Sequence, residues 1–213
     1  MAQRFDTSLN CQQEWSWLLA IWLFLGGSGS GLFLLFKIFG LPLVFAGISL
    51  GLVAAGGLVL LSELGNPLRV WRTVSRTSTS WLSRGVVFVL VFLVTGFLSV
   101  GPEFAAFSWL PVEPGGAISG ALGWVAGLCA LMIILYPGFF LSSNRAIPFW
   151  NTPFVPVLFF GFALLGGSGL VLLFSGLLKT GLSSIITLAA VLIVVDLVLV
   201  AVYLLAMGRS NAA

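Results

Sequence analysis

Histidine is absent from this sequence. Membrane cytochromes of the b type hold haem iron through axial imidazoles, so a haem wire through the bilayer is excluded on ligand chemistry. Charge is nearly as scarce. Asp, Glu, Lys and Arg make up 7% of the 213 residues, where an ordinary soluble domain carries about a quarter. A protein this poor in charge lacks the polar groups to cover its own surface in water. Only two cysteines occur, Cys11 and Cys129, and no CxxC spacing is present. That excludes a zinc site and an iron–sulfur cluster held by these residues alone, and leaves both cysteines as small apolar fillers. The nine basic residues are scattered around apolar segments, so the net charge of +3 does not indicate nucleic acid as a partner.

What the sequence has in abundance is apolar length. Hydrophobic residues make up 60% of it, and the mean hydropathy is +1.18. The pattern predicts an all-α integral membrane protein with about six transmembrane helices, each near 20 residues, in a lipid bilayer. The expected spans are 15–36, 41–63, 85–101, 117–141, 153–178 and 182–207. Residues 1–14 form a polar N-terminal segment, 15–142 a first four-helix transmembrane bundle, and 143–213 two further helices and a tail, a shortened second bundle. Residues 1–13 are polar and mixed in charge, and the apolar stretch after Trp15 is too long for a signal-peptide core, so no cleaved leader is expected.

An internal repeat supports the two-bundle reading. LFLGGSGSGLFLLF at 23–36 is echoed by ALLGGSGLVLLF at 163–174, which makes the first and fifth spans equivalent elements. Other glycines recur at helical spacing, at Gly47 and Gly51 and at Gly116, Gly120, Gly123 and Gly127. Such spacing lets helix backbones approach closely in lipid, where burial brings no hydrophobic gain. Plain helix contact accounts for all of these except the first-span cluster, which also leaves room for a ligand.

Six spans put both termini and the 64–84 and 143–152 connections on one side. That side holds Arg4, Arg69, Arg72, Arg76, Arg84, Arg145 and Arg209 against Asp6, Glu14 and Glu63, and the other holds Lys37 and Lys179 against Glu103 and Glu113. The excess of arginine assigns the first side to the cytoplasm and the protein to the cell inner (plasma) membrane.

Candidate chemistry gathers at the end of the second span and in the connection after it. The order is Glu63, Leu64, Gly65, Asn66, Pro67, Leu68, Arg69, Val70, Trp71, Arg72, then Ser80, Trp81, Leu82, Ser83, Arg84. Gly65 suits a left-handed helix cap and Pro67 stops continuation, so a carboxylate closes the helix beside guanidinium groups. A quinone site needs this combination. Its carbonyls take hydrogen bonds, a titratable group passes protons to water, and its tail stays in lipid. Glu63 is the candidate proton carrier, Arg69 or Arg84 the candidate polarising group, and Trp71 and Trp81 candidate walls. The plain alternative makes the arginines topology anchors, the tryptophans belt residues and Glu63 a salt-bridged helix end.

Across nearly its whole length the sequence resembles the NrfD-like membrane subunits, a family that includes the polysulfide reductase membrane subunit and the DMSO reductase membrane anchor. Glu63, Leu64, Gly65, Pro67, Arg69 and Arg72 match one family element, and Ser80, Trp81, Leu82, Ser83 and Arg84 another. The glycine-rich first span and Asn151, Thr152 and Pro153 before the fifth are also similar. The resemblance implies a subunit without haem that exchanges electrons with menaquinone or ubiquinone. Its partner would be an iron–sulfur subunit, which serves a molybdenum or tungsten catalytic subunit. Glu63, Arg69 and Arg84 would then be catalytic, and Gly65, Pro67, Trp71, Arg72, Ser80 and Trp81 would bind the carrier. With no redox centre of its own, the protein would have no catalytic power alone. It departs from the family in having six expected spans rather than eight or more. It also carries Glu63 and Gly85 where the DMSO reductase branch often has histidine and an acidic residue.

Asp196 lies near the middle of the sixth span. A carboxyl in lipid faces the bundle and finds a partner or a proton. It is expected to be a neutral acid hydrogen-bonded to a neighbouring helix, with Tyr136 and Tyr203 as candidate partners, and a proton relay is the functional alternative. Asp196 and the repeat also fit a transporter or channel, and loss of helices fits a purely structural anchor.

Overall fold

The computed structural model describes residues 17–63, 81–143, 150–178 and 183–210. Among them are six long helices: α1 Trp17–Phe39, α2 Leu43–Glu63, α3 Trp81–Val100, α4 Ala117–Ser142, α5 Phe154–Leu178 and α6 Ser183–Ser210. No strand occurs among the described residues. At 1.5 Å per residue even the shortest covers about 30 Å, the thickness of a hydrocarbon core. All six are long and apolar enough to cross a membrane.

Contacts fix the direction of each helix. Trp22 lies against Gly56 and Gly29 against Val53, so α1 and α2 run antiparallel. Gly57 meets Val89 and Gly96 meets Leu50, which does the same for α2 and α3. Ser99 bonds Ser119 while Gly85 touches Tyr136, which reverses α4 against α3. Gly27 meets Ala163 and Gly31 meets Gly167, so α1 and α5 are parallel. The ends at Trp17, Glu63, Trp81, Ser142 and Phe154 therefore share one face of the bundle, hereafter the Glu63 end.

Two elements differ from the sequence expectation. Helix α1 continues past Lys37 to Phe39, where Gly40 takes φ +59° and the Leu41 N–H donates to the Phe36 carbonyl at 3.2 Å. This six-to-one bond closes the helix, and Pro42 prevents its extension. Helix α3 starts at Trp81 rather than Gly85, so it includes Ser83 and Arg84 ahead of the apolar run, and no proline stands between Trp81 and Val100 to stop it. The Trp81–Arg84 motif therefore stands on the first turn of a helix, not in a connection.

Between α3 and α4 lie two short 3-10 turns, Gly101–Glu103 and Ala105–Phe107. The Phe107 ring meets Phe97 edge-on at 4.9 Å, which folds this connection back onto α3. At the opposite face, the Thr152 hydroxyl accepts from the Phe154 N–H at 3.4 Å and caps the start of α5.

Helix α1 is the hub. One of its faces joins Trp22 and Phe33 to Ala46 and Val53 of α2, Phe92 of α3 and Ala126, Ile133 and Tyr136 of α4. Its other face sets Leu32 and Leu35 against Phe45 of α2, Val171 of α5 and Ile185 of α6. The two GGSG blocks meet at the crossing of α1 and α5. A Cβ on Gly31 would collide with the Ala163 carbonyl, one on Gly166 with the Ser28 hydroxyl, and one on Gly167 would lie 2.6 Å from the Leu32 nitrogen. Backbones this close gain dispersion that lipid cannot supply. The other glycine series divide. A Cβ on Gly123 would lie 2.8 Å from the Ser99 hydroxyl and one on Gly47 3.3 Å from the Phe104 ring, but positions where Gly51, Gly120 and Gly127 would carry a Cβ have nothing within 4 Å. Spacing of four puts residues on one face but does not say which face meets a helix.

Candidate functional site

The Glu63 end carries the motif residues that the structure describes. Glu63 is the last residue of α2, and Trp81 the first of α3. On the same first turn of α3, Ser83 is buried and Arg84 half-buried. Gly65, Pro67, Arg69, Trp71, Arg72 and Ser80 lie outside the described residues. The structure thus brings the two ends of the motif to one membrane face.

Directly beneath them sits a buried polar pair. Trp22 Nε1 of α1 donates to the Tyr136 hydroxyl of α4 at 2.9 Å. Trp22 is 2% exposed and Tyr136 6%. Glycines make room for both rings. A Cβ on Gly56 would lie 2.9 Å from the Trp22 ring, and one on Gly26 3.1 Å from it. A Cβ on Gly85, next to Arg84, would come within 2.5 Å of the Tyr136 ring. Tyr136 is therefore not the partner of Asp196 that the sequence suggested. Its hydroxyl accepts from an indole whose own N–H needs an acceptor inside the bundle, and neither Asp196 oxygen bonds to it.

Beside this pair opens a cavity of about 600 Å³ in the same half of the bundle, between α1, α4, α5 and α6. Trp22, Gly27, Ser28, Pro137, Ala163 and Tyr203 are among its walls. Phe24 and Phe162 rim it and are exposed on the outer surface of the bundle, so it communicates with lipid. Its lining is overwhelmingly apolar, with Ser28, Tyr203 and Trp22 as the polar points. A volume of this size, apolar with few polar groups, is typical of a small-molecule site. A groove of about 630 Å³ runs past Asn151, Thr152 and Pro153 at the start of α5, also at the Glu63 end.

The first-span glycine cluster has both roles open in the sequence. Gly29 and Gly31 serve close helix contact, whereas Gly27 and Ser28 line the cavity. Sequence reasoning missed the Trp22–Tyr136 pair and the cavity. The one available signal was an aromatic with a polar tip placed inside a span rather than at its border.

Asp196 is 3% exposed, and neither of its oxygens has a hydrogen-bond partner among the described residues. The expected hydrogen bond to a neighbouring helix is absent there. Among the described residues no group of three or more His, Cys, Asp or Glu could hold a metal ion.

The sequence has known relatives. "Protein NrfD" of Escherichia coli (strain K12) is 29% identical, with 75% of this sequence and 58% of that protein covered. The C subunit of the polysulfide reductase of Wolinella succinogenes is 30% identical, with 80% of this sequence and 60% of that protein covered. The protein thus spans about three fifths of the length of these relatives. The family described as "Polysulphide reductase, NrfD" matches residues 7–210, nearly the whole sequence. A six-helix membrane bundle whose sequence matches that family from end to end belongs to it: the protein is a member of the NrfD polysulphide reductase family.

Proposed function

We propose that the protein is the quinone-reactive membrane subunit of a multi-subunit oxidoreductase. It exchanges electrons between the quinone pool and an iron–sulfur subunit docked at the Glu63 end, which in turn serves a molybdenum or tungsten catalytic subunit. The observation that carries this reading is the apolar, lipid-connected cavity of about 600 Å³ in the half of the bundle where Glu63, Trp81 and Arg84 stand. A quinone has an aliphatic tail and a polar ring, and the residues present suit both. The cavity accepts the tail, while the polar groups of the membrane face suit the ring. Family membership and a relative named as one part of a polysulfide reductase support assembly into a reductase complex.

A bound quinone supplies two-electron, two-proton chemistry. The protein supplies placement and proton traffic. Glu63, at the helix end beside water, holds and passes the proton. Arg69 and Arg84 donate to a carbonyl oxygen and keep the carboxylate oriented, for which planar guanidinium groups are suited. Gly65 and Pro67 turn the backbone, and Trp71, Arg72, Ser80 and Trp81 enclose the ring. The membrane is the cell inner membrane, with both termini cytoplasmic, on the argument from arginine placement.

The test uses the assembled complex. Glu63→Gln is expected to abolish quinol turnover while leaving assembly intact, and unchanged turnover removes Glu63 from the site. A preparation that neither retains an iron–sulfur subunit nor binds a quinone analogue overturns the redox reading in favour of a transporter or structural anchor.

A further inference from the structure

Asp196 is the one acidic residue that the described structure buries inside a span, and carrier exchange at the Glu63 end does not use it. It stands near the middle of α6, and its carboxyl fills the notch left by Gly161 on α5. A Cβ at Gly161 would occupy the place of the Asp196 oxygens. Neither oxygen is hydrogen-bonded among the described residues, although Asp196 is 3% exposed. A buried polar group without a partner loses its hydration with no compensation, which costs about 1–3 kcal/mol and more if it is charged. A carboxyl kept only as helix–helix adhesive would spend its hydrogen bond on α5, and this one does not.

Among the described residues the neighbourhood holds no fixed countercharge. Helix α5, on which α6 packs, has no Asp, Glu, Lys, Arg, Tyr or Cys between Phe154 and Leu178. On α6 itself the titratable residues are Asp196, Tyr203 and Arg209. Tyr203 follows Asp196 by seven positions, two turns along the same helical face, or about 10 Å toward the Glu63 end. Tyr203 lines the cavity, and so do Leu158 and Phe162, which flank Gly161 on α5. The carboxyl therefore lies behind the wall of a cavity that leads to the end where the proton chemistry of a carrier would occur.

The geometry points to Asp196 as a proton-binding site within the membrane, which exchanges its proton with the cavity by way of the Tyr203 hydroxyl. The step is a carboxylate taking a proton from water at the Glu63 end of the cavity, where the membrane face is polar, to become the neutral acid, and returning it. No electrons move. Gly161 keeps the space in which the group changes state without displacing a helix.

Infrared spectroscopy of the full-length protein in lipid vesicles, with whatever subunits accompany it, reads this directly. The expected signal is the carbonyl stretch of a protonated acid that is lost in Asp196→Asn, fades as pH rises and shifts in heavy water. Where Asp196→Asn does not assemble, Asp196→Glu displaces the band and assigns it instead. Tyr203→Phe is expected to slow the heavy-water shift several-fold. A band that neither responds to pH nor shifts in heavy water marks a permanently neutral structural acid and overturns the proposal. So does the absence of any band assignable to Asp196. An unchanged exchange rate in Tyr203→Phe overturns the assigned route. The measurement needs no quinone, so its failure leaves carrier exchange standing, and loss of the carrier reading leaves this one intact.

Discussion

The indole of Trp22 and the hydroxyl of Tyr136 hydrogen-bond at 2.9 Å across the α1–α4 interface, 114 residues apart in sequence. The pair lies between the arginine-bearing start of α3 and the main cavity. It ties the hub helix to α4 at the level where the candidate carrier site begins. In lipid such a bond is worth less than its isolation suggests, because the unfolded state in the membrane also finds partners.

Tyr136→Phe is expected to destabilise the protein by about 1 kcal/mol, the middle of the membrane range for a hydrogen bond, and Trp22→Phe by more, because the smaller ring also leaves a cavity. Each leaves one polar atom orphaned. The double variant is expected to lose less than the sum of the singles, as measured by unfolding in mixed detergent micelles. Additive losses would show that the bond contributes nothing beyond ring volume.

Gly85→Ala is expected to push the Tyr136 ring, since the new methyl would stand 2.5 Å from its carbons. Overpacking of this kind costs about 1–3 kcal/mol. Tryptophan fluorescence should shift as Trp22 loses its acceptor. A spectrum identical to wild type would mean that α3 yields instead of the ring.

Gly167→Ala is expected to destabilise by at least about 2 kcal/mol, because the obstacle is the backbone of α1, which cannot rotate aside. Gly51→Ala, whose Cβ position has nothing within 4 Å, is expected to be neutral or to stabilise by up to about 1 kcal/mol through helix propensity. Thermal unfolding in detergent should separate the two variants clearly. Equal behaviour would remove the argument for close α1–α5 contact.

Gly27→Leu is expected to fold, since a Cβ there meets only Ala163 at an ordinary 3.8 Å. Its side chain enters the cavity. Binding of a quinone analogue, followed by quenching of tryptophan fluorescence, should weaken about tenfold, or about 1.4 kcal/mol. Unaltered affinity would move the carrier elsewhere in the bundle.

Six spans were legible because each is a long apolar run bounded by Gly, Pro or charge, and lipid imposes that length on any helix that crosses it. The Glu63–Arg84 region was legible as a motif, because residues near in sequence announce themselves together. Its two described edges, Glu63 on α2 and Arg84 on α3, do come to one membrane face. Asp196 was visible as a charge out of place, but its surroundings were not. The sequence suggested a tyrosine, and the fold gave it the notch of Gly161.

Composition and hydrophobic length alone determined that this protein lives in lipid as a helical bundle with no imidazole and no CxxC pair to offer a metal, since those follow from which atoms are present. Tertiary structure alone decided which glycines touch a helix, where the cavity opens, and that Tyr136 bonds to Trp22 and not to Asp196. In a membrane every span is apolar on all sides, so the hydrophobic pattern that marks the inward face of a soluble helix is missing. The inward face is then settled by shape, and shape belongs to the assembled helices.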